Sequence, residues 1–379
     1  MKTQFILTSA LCAFALLPAR VHANAIAYSV TDLGTLGGTA SYANGINASG
    51  QIVGYSYISG NSAYHAVRWT GATPTDLGTI GGTNSYGYGI NDSGQVAGSF
   101  TNSDSPDSGS SLQHAVRWTG TTGTDLGTLG GTFSEGYGIN ASGQVTGYAT
   151  DRFGTNLAAR WTGTTPTALG TINGTNSGAA GYGINTSGQV TGITGVSGGH
   201  QHAVRWTGTT ATDLGLLGGT ESAGNSINDS GQVTGYALIT ANSAHHAVRW
   251  TGTTPTDLGT LGGNDSFGLG INATGQVVGI SAKTGSGSSV AFLYTDGAMY
   301  DLFTLLLSGS GVTSVSIGRS NYEVGNCIND LGQIAATGTI GGQKHALRLD
   351  PVAAPEPTSA ALLLSGCALL IRRRRTTPT

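Results

Sequence analysis

The sequence has little charge, little of what builds helices and almost no cysteine, and each shortage removes a class of protein. Charged residues make up 9% of the 379. Lys, Glu and Leu are too sparse to give a helical bundle its amphipathic faces. Of the three cysteines, Cys12, Cys327 and Cys367, only Cys327 lies between the two ends, so the body has no intramolecular disulfide and must be held by packing alone. The two most apolar stretches, 5–17 and 359–371, have thirteen positions each, short of the roughly 20 that a comfortable membrane-spanning helix needs. Positive charge is scarce where it would matter. Lys2, Arg20, Arg372, Arg373, Arg374 and Arg375 take six of the sixteen basic residues, leaving ten scattered ones against nineteen acidic. A body without a clustered basic face does not displace counterions from phosphates, so no nucleic-acid partner is expected.

What is abundant is glycine, 64 residues of it, with Thr and Ser. That composition suits short strands joined by turns and predicts an all-β protein. Self-similarity dominates the stretch between the ends. Asp-Leu-Gly-Thr-Leu-Gly-Gly or a near variant begins at Asp32, Asp76, Asp125, Asp213 and Asp257, appears as Leu-Gly-Thr-Ile after Ala168, and degenerates at Asp301. Gly-Ile-Asn-x-Ser-Gly-Gln-Val or a variant places its asparagine at Asn47, Asn91, Asn140, Asn185, Asn228, Asn272 and Asn329. His-Ala-Val-Arg-Trp starts at His65, His114, His202 and His246, is altered at Leu157 and Val290, and ends as His345-Ala-Leu-Arg-Leu. Each of the three occurs seven times, always in the same order.

The segments read as strands and turns. Asn-Asp-Ser-Gly between apolar residues is a tight turn with Gly at positive φ. The following Gln-Val-x-Gly alternates, and its recurring Gly54, Gly98 and Gly147 mark a bulge or a close backbone approach. His-Ala-Val-Arg-Trp is a period-two strand, with His, Val and Trp on one face and Ala and Arg on the other. Thr70 to Pro74 then turns the chain into a fourth strand. Successive asparagines lie 44, 49, 45, 43, 44 and 57 residues apart, the period of a four-stranded propeller blade rather than a solenoid coil. The body opens on a lone last strand, 28–33, and closes on a third strand, 345–349, that lacks its partner. Pairing these two closes a ring and leaves no free sheet edge. The prediction is a seven-bladed β-propeller over 26–350, built from four-stranded repeats of about 44 residues; the alternative is an open β-repeat array with a cap at each end.

The repeat resembles the extracellular repeats of the HAF family, known by His-Ala-Phe followed by Asp-Leu-Gly-Thr-Leu-Gly-Gly and Gly-Ile-Asn. Val67, Val116, Val204 and Val248 stand where the name has Phe, and Ala291-Phe292 retains it. The resemblance covers about 320 residues, implies an extracellular location and assigns no activity. The two ends agree. Residues 1–23 have the basic start, apolar centre and small-residue exit of a secretory signal peptide, with cleavage after Ala23 or Ala25. Residues 351–379 resemble the PEP-CTERM sorting signal of Gram-negative bacteria: Pro355, Glu356 and Pro357, then the apolar segment 359–371, then Arg372, Arg373, Arg374 and Arg375. That likeness implies transient inner-membrane retention and processing by an exosortase, after passage through the export machinery, in species that make extracellular polysaccharide. The polysaccharide is then the natural partner.

The repeated polar residues carry no catalytic, cofactor or metal prediction. Equivalent residues of different blades are spread around a ring, whereas zinc needs its ligands about 2 Å from one ion, so the repeated histidines, His200 and His245 with them, are read as bonding neighbouring backbone. Trp69, Trp118, Trp161, Trp206 and Trp250 recur at one strand position and suit packing between blades rather than sugar stacking. Asp92, Asp229 and Asp330 offer calcium-type oxygens, but other copies hold Ala48, Ala141, Thr186 and Ala273 there, so turn formation is the reading. The aspartates at 32, 76, 125, 213 and 257 suit capping of the turn that follows. Repetition itself argues against an active site, which is a unique constellation. A carbohydrate-active enzyme on a propeller is the competing reading, with Asp104, Asp107, Asp151, Glu135 and Glu221 as its candidate carboxylates. Specificity is sought in the stretches that break the repeat, 101–111, 195–202 and 303–322.

Overall fold

The computed structural model describes residues 26–102, 112–172, 178–285, 289–318 and 326–353. Among them are seven four-stranded antiparallel sheets and no α-helix. The first blade is Gly37–Ile46, Ile52–Ile58, Tyr64–Thr70 and Thr73–Asp76, hydrogen-bonded in that order from the axis outward. Blades two to six repeat it. The seventh is made of Val312–Ser316, Ile334–Ile340 and Gln343–Ala353, with Ile26–Asp32 from the start of the body as its outer strand. The ring is therefore closed by its two ends, as the order of the segments predicts.

Two glycine positions make the blade possible. The turn between the first two strands needs a left-handed residue, and Gly50, Gly94, Gly143, Gly188, Gly231, Gly275 and Gly332 all have φ between +75° and +80°. On the second strand, a Cβ at Gly54, Gly147 or Gly235 would lie 1.8 Å from the carbonyl oxygen of Tyr42, Glu135 or Ala223 on the inner strand. The inner strand is bulged there, its register shifting between Ala43 and Gly45 opposite Gly54. Close approach and bulge are thus one feature, shared between two strands.

The core lies between blades. Trp118 packs with Val53, Ala66 and Leu77 of the blade before it, and Trp161 with Ala97, Ala115 and Leu126 in the same way. The five tryptophans are at most 1% exposed. At roughly 25 cal/mol per Å² and about 200 Å² each, burial contributes an upper figure of about 5 kcal/mol per tryptophan. The predicted faces hold: Val and Trp look back to the preceding blade, while Ala66 donates its N–H to Ser85 Oγ (2.9 Å) and Arg68 its Nη1 to the Gly94 carbonyl (2.9 Å) of the following one. The connection to the outer strand differs. Gly71 and Ala72 make the turn, and Thr73 and Pro74 already belong to the outer strand, whose free edge accommodates a proline.

The stretch 303–322 also differs from its reading as an insertion. Leu302–Leu305 is a 3-10 turn capped by Asp301. The Leu307 N–H then donates to the Tyr28 carbonyl at 2.9 Å, and Leu306 bridges Tyr28 in parallel, so the chain covers the outer edge of the closing strand. Val312–Ser316 is the inner strand of blade seven. The last strand runs to Ala353, beyond residue 350. Residues 103–111 and 319–322 lie outside the described residues, as do Ala23, Pro355, Glu356, Pro357, the segment 359–371 and Arg372 to Arg375. Among the described residues no helix is long and apolar enough to cross a membrane.

Candidate functional site: the asparagine ring and the axial cavity

The seven repeated asparagines meet around the axis. Each donates its side-chain amide to the backbone carbonyl of its counterpart in the next blade: Asn47 to Asn91 (3.1 Å), Asn91 to Asn140 (3.0 Å), Asn140 to Asn185 (3.3 Å), Asn185 to Asn228 (3.2 Å), Asn228 to Asn272 (3.0 Å), Asn272 to Asn329 (3.2 Å) and Asn329 to Asn47 (3.0 Å). The belt is complete. The same amide also reaches the side-chain oxygen of the glutamine four residues on, and the asparagine oxygen accepts that glutamine's N–H. One side chain thus fixes its own turn and ties it to the next blade. The turn was legible in the sequence and the belt was not. Its signal was there, however: asparagine stands in all seven copies while the next position varies.

A second tie runs outside the first. Arg68, Arg117, Arg160, Arg205 and Arg249 donate to the turn carbonyls of Gly94, Gly143, Gly188, Gly231 and Gly275 at 2.9–3.0 Å. Leu293 replaces this arginine in blade six.

The repeated histidines pair with carboxylates, not with backbone. His65, His114, His202, His246 and His345 put Nδ1 2.7–2.9 Å from Asp76, Asp125, Asp213, Asp257 and Asp32 on the neighbouring outer strand. The reason is register: Val67 stands opposite Asp76, which brings His65 within reach of the carboxylate. The same aspartates accept the N–H two residues on, Gly78 to Asp76 at 2.7 Å for example, so the predicted turn capping is present as well. At Asp125, partial burial works to raise the pKa, but the His114 hydrogen bond, the Gly127 N–H and the His114 charge outweigh it and hold the carboxyl below the usual carboxylate range. The His345–Asp32 pair joins the two chain ends. Among the described residues no group of three or more His, Cys, Asp or Glu could hold a metal ion.

The tryptophans are interior and offer no stacking surface. The candidate carboxylates occupy separate settings. Glu135 is buried on the inner strand of blade three, where the Tyr137 hydroxyl and the Gln113 amide donate to it. Asp151 accepts the N–H groups of Phe153 and Thr155, and the Thr155 bond above all lowers its pKa, against a smaller desolvation effect. Glu221 lies 3.3 Å from His200 Nδ1. Asp104 and Asp107 lie outside the described residues. The stretch 195–202 is a hairpin connection in which Val196 N–H donates to the His200 carbonyl at 2.9 Å. Cys327 is fully buried, and burial pushes its thiol up to about 12.

On the axis, at the end carrying the asparagine turns, is a cavity of about 200 Å³. Its wall includes six of the seven ring asparagines, all but Asn272, six of the isoleucines before them, Tyr182 and Asn225. Asp92, Asp229 and Asp330 stand at the turn position after the ring, and no Lys, Arg or His lines it.

No known family model matches the chain, and no curated protein does. Among solved structures, the propeller domain of the trilobed protease from Pyrococcus furiosus superposes with a TM-score of 0.50 at 8% identity, over 84% of this chain and 99% of that one. The chain is a β-propeller. The Pyrococcus domain is described as having an open velcro topology; here Ile26–Asp32 closes the last blade. A protein described as TolB from Agrobacterium tumefaciens (TM-score 0.42, 15% identity, 64% of this chain and 85% of that one) and the fucose-recognising lectin of Aleuria aurantia (0.37, 14%, 70% and 96%) are more remote propellers. At these identities the likeness is one of fold alone.

Proposed function

We propose that this protein is an exported, non-enzymatic propeller that serves as a rigid binding or structural element of the bacterial cell surface or its polysaccharide matrix. The observation that carries the reading is where the repeated polar groups go. Asparagines, arginines, histidines and aspartates are spent on turns and on ties within and between blades. That use builds a rigid ring rather than a reacting constellation.

The resemblance to HAF repeats supports the extracellular location, and the leader with its exit at Ala23 supports export. The tail supports transient membrane retention and exosortase-like processing near Pro355, Glu356 and Pro357. The fold is compatible with both cuts. Leu33 N–H donates to the Ala346 carbonyl and the Ser29 hydroxyl to the Asp350 carbonyl, so the first and last strands run antiparallel and the start of one lies at the end of the other. Cleavage after Ala23 and near Pro355 then trims residues outside both strands and leaves the ring closed.

Changing Arg372, Arg373, Arg374 and Arg375 together to Ala tests the sorting part. The reading expects the protein to be stranded or misrouted, and normal surface delivery would sink it. A glycan-binding screen with hydrolysis followed in parallel tests the rest; turnover of any glycan would replace this reading with the enzymatic one.

A further inference from the structure

We propose that five tyrosines at the seam between blades one and two, towards the end of the ring opposite the asparagine turns, form a stacking platform for the sugar rings of an uncharged polysaccharide. This rests on the reading of the protein as a non-enzymatic binding element and names the surface that does the binding. Five of the fourteen tyrosines in the chain, Tyr42, Tyr55, Tyr57, Tyr64 and Tyr86, stand in one cluster. Register assembles it. Tyr42 lies opposite Tyr55 and Tyr57 opposite Tyr64 in blade one, and Tyr86 joins them from the inner strand of blade two. Two pairs are stacked, Tyr42 on Tyr55 with centroids 4.8 Å apart and Tyr57 on Tyr64 at 3.8 Å. Tyr55 meets Tyr64 and Tyr86 edge to face at 5.3 and 5.2 Å. The Tyr64 N–H donates to Asn84 Oδ1 of blade two at 2.9 Å, which pins the seam beside the rings.

The seam between blades five and six shows how much of this cluster packing requires. Tyr236, His245 and Phe267 hold the places of Tyr55, Tyr64 and Tyr86 there, with ring centroids 5.1–5.5 Å apart, and they fill that seam. Tyr42 and Tyr57 have Ala223 and Leu238 as their counterparts. The first seam therefore carries two rings beyond those that close a seam. Nor are its rings hidden as the tryptophans are. Tyr55 is buried, but Tyr42, Tyr57, Tyr64 and Tyr86 are only partly so and keep some of their surface in solvent.

The chemistry of the patch selects its occupant. No charged side chain belongs to the cluster. Burial above all, then the Tyr57 hydrogen bond and the neighbouring tyrosines, push the Tyr64 hydroxyl above its ordinary value, so it stays protonated and neutral. The patch thus offers flat apolar faces with hydroxyls at their rims. A hexose offers the matching surface, C–H groups on its face and hydroxyls around its edge. Rings held against one another lose little conformational freedom on contact with a ligand. The same contacts leave no cage between them for an ammonium ion. A charged polymer would find no counter-charge. The exposed large apolar side chains, Phe153, Tyr300, Phe303, Leu307 and Leu331, all lie outside blades one and two, so the patch lacks the wider apolar surface on which a protein partner would seat.

The test is calorimetric titration of the purified full-length protein with cellohexaose and mannohexaose, which are neutral, and with an alginate hexamer, which is anionic. It is repeated with Tyr42→Ala, Tyr57→Thr, Tyr57→Phe and, as a control on the outer rim, Tyr300→Ala. Ala223 and Thr101 occupy the places equivalent to Tyr42 and Tyr57, so the repeat tolerates both truncations, and a thermal melt of each variant confirms folding. The proposal expects a neutral hexamer to bind, the alginate hexamer to bind at least tenfold more weakly, and binding to fall about fivefold or more in Tyr42→Ala and in Tyr57→Thr. Tyr57→Phe, which keeps the ring, and Tyr300→Ala should bind as the parent does. No binding of either neutral hexamer at millimolar concentration, or equal binding of alginate, overturns the proposal. Binding unchanged in both truncations overturns it too, while leaving the protein a binding element with its site elsewhere. Cleavage of a hexamer overturns instead the non-enzymatic reading beneath it.

Discussion

Replacing Asn140 with Ala should weaken the whole ring by an amount that can be worked from its contacts. The side chain makes four hydrogen bonds: to the Asn185 carbonyl (3.3 Å), to the Gln144 side-chain oxygen (2.9 Å), from the Gln144 N–H (3.0 Å) and from the Ser142 hydroxyl (2.9 Å). Ser142 is exposed and Gln144 is partly so, and water can replace those side-chain partners. The Gln144 N–H loses its partner, whereas the Asn185 carbonyl keeps the Gly188 N–H at 3.0 Å and loses only its second bond. Leaving a buried group unpaired costs about 1–3 kcal/mol and losing one bond of a doubly bonded acceptor about 0.5–1.5 kcal/mol, so the two together predict about 1.5–4.5 kcal/mol. With an unfolding entropy of about 2.1 cal/mol/K per residue over roughly 330 residues, that is a fall of about 2–6 °C in Tm. Differential scanning calorimetry reads it directly. Ser142→Ala is the internal control, because it removes one exposed bond and should move Tm by about 1 °C or less. If the two variants melt together, the belt is a consequence of the fold and not one of its supports.

Gly147→Ala should prevent folding outright, since the new Cβ would meet the Glu135 carbonyl at 1.8 Å, whereas Gly163→Ala, with φ of +66° and nothing within 4 Å, should cost only about 1–2 kcal/mol; soluble yield and Tm separate the two. The Asp125 carboxyl is held low in the folded state, so its contribution is present above the ordinary aspartate value of 3.8 and is lost as pH falls through its lowered native value. Asp125→Asn should therefore lower Tm near neutrality and flatten the acid limb of the stability profile, and an unchanged acid limb would refute the assignment. The buried Cys327 thiol, pushed up to about 12, should resist a maleimide in the native protein at pH 8 and react only on unfolding; prompt native labelling would place it elsewhere.

Much of this architecture was legible because the repeat carries its own geometry. Glycine at the turn and at the second strand announced a left-handed residue and a close approach, and the order of the three segments announced the closure. The histidine partners were harder. Local patterning shows that His65 and Asp76 lie on strands, but only the pairing of Val67 with Asp76 brings them together. The constant separation of eleven residues in that pair, in His114–Asp125, in His202–Asp213 and in His246–Asp257 was the available signal. The inner strand of blade seven was hidden because Val312–Ser316 is parted from Asn329 by extra residues. The contact of Leu306 with Tyr28 joins the connection between blades six and seven to the first strand of the body, which no local pattern encodes. At the cavity, the three aspartates were visible in the sequence as turn residues. Their shared surroundings follow only from the ring.

The central claim is that the first strand of the body completes the last blade. Hydrogen-exchange mass spectrometry of the native protein tests it most directly, through the amides of residues 27–32 and of 343–349. The account predicts that the two peptides exchange together and slowly, at the rate of global unfolding, because Ile26–Asp32 is bonded to Gln343–Ala353 on one side and covered by Leu306 and Leu307 on the other. Exchange of 27–32 within seconds, while 343–349 stays protected, would contradict closure and leave an open array.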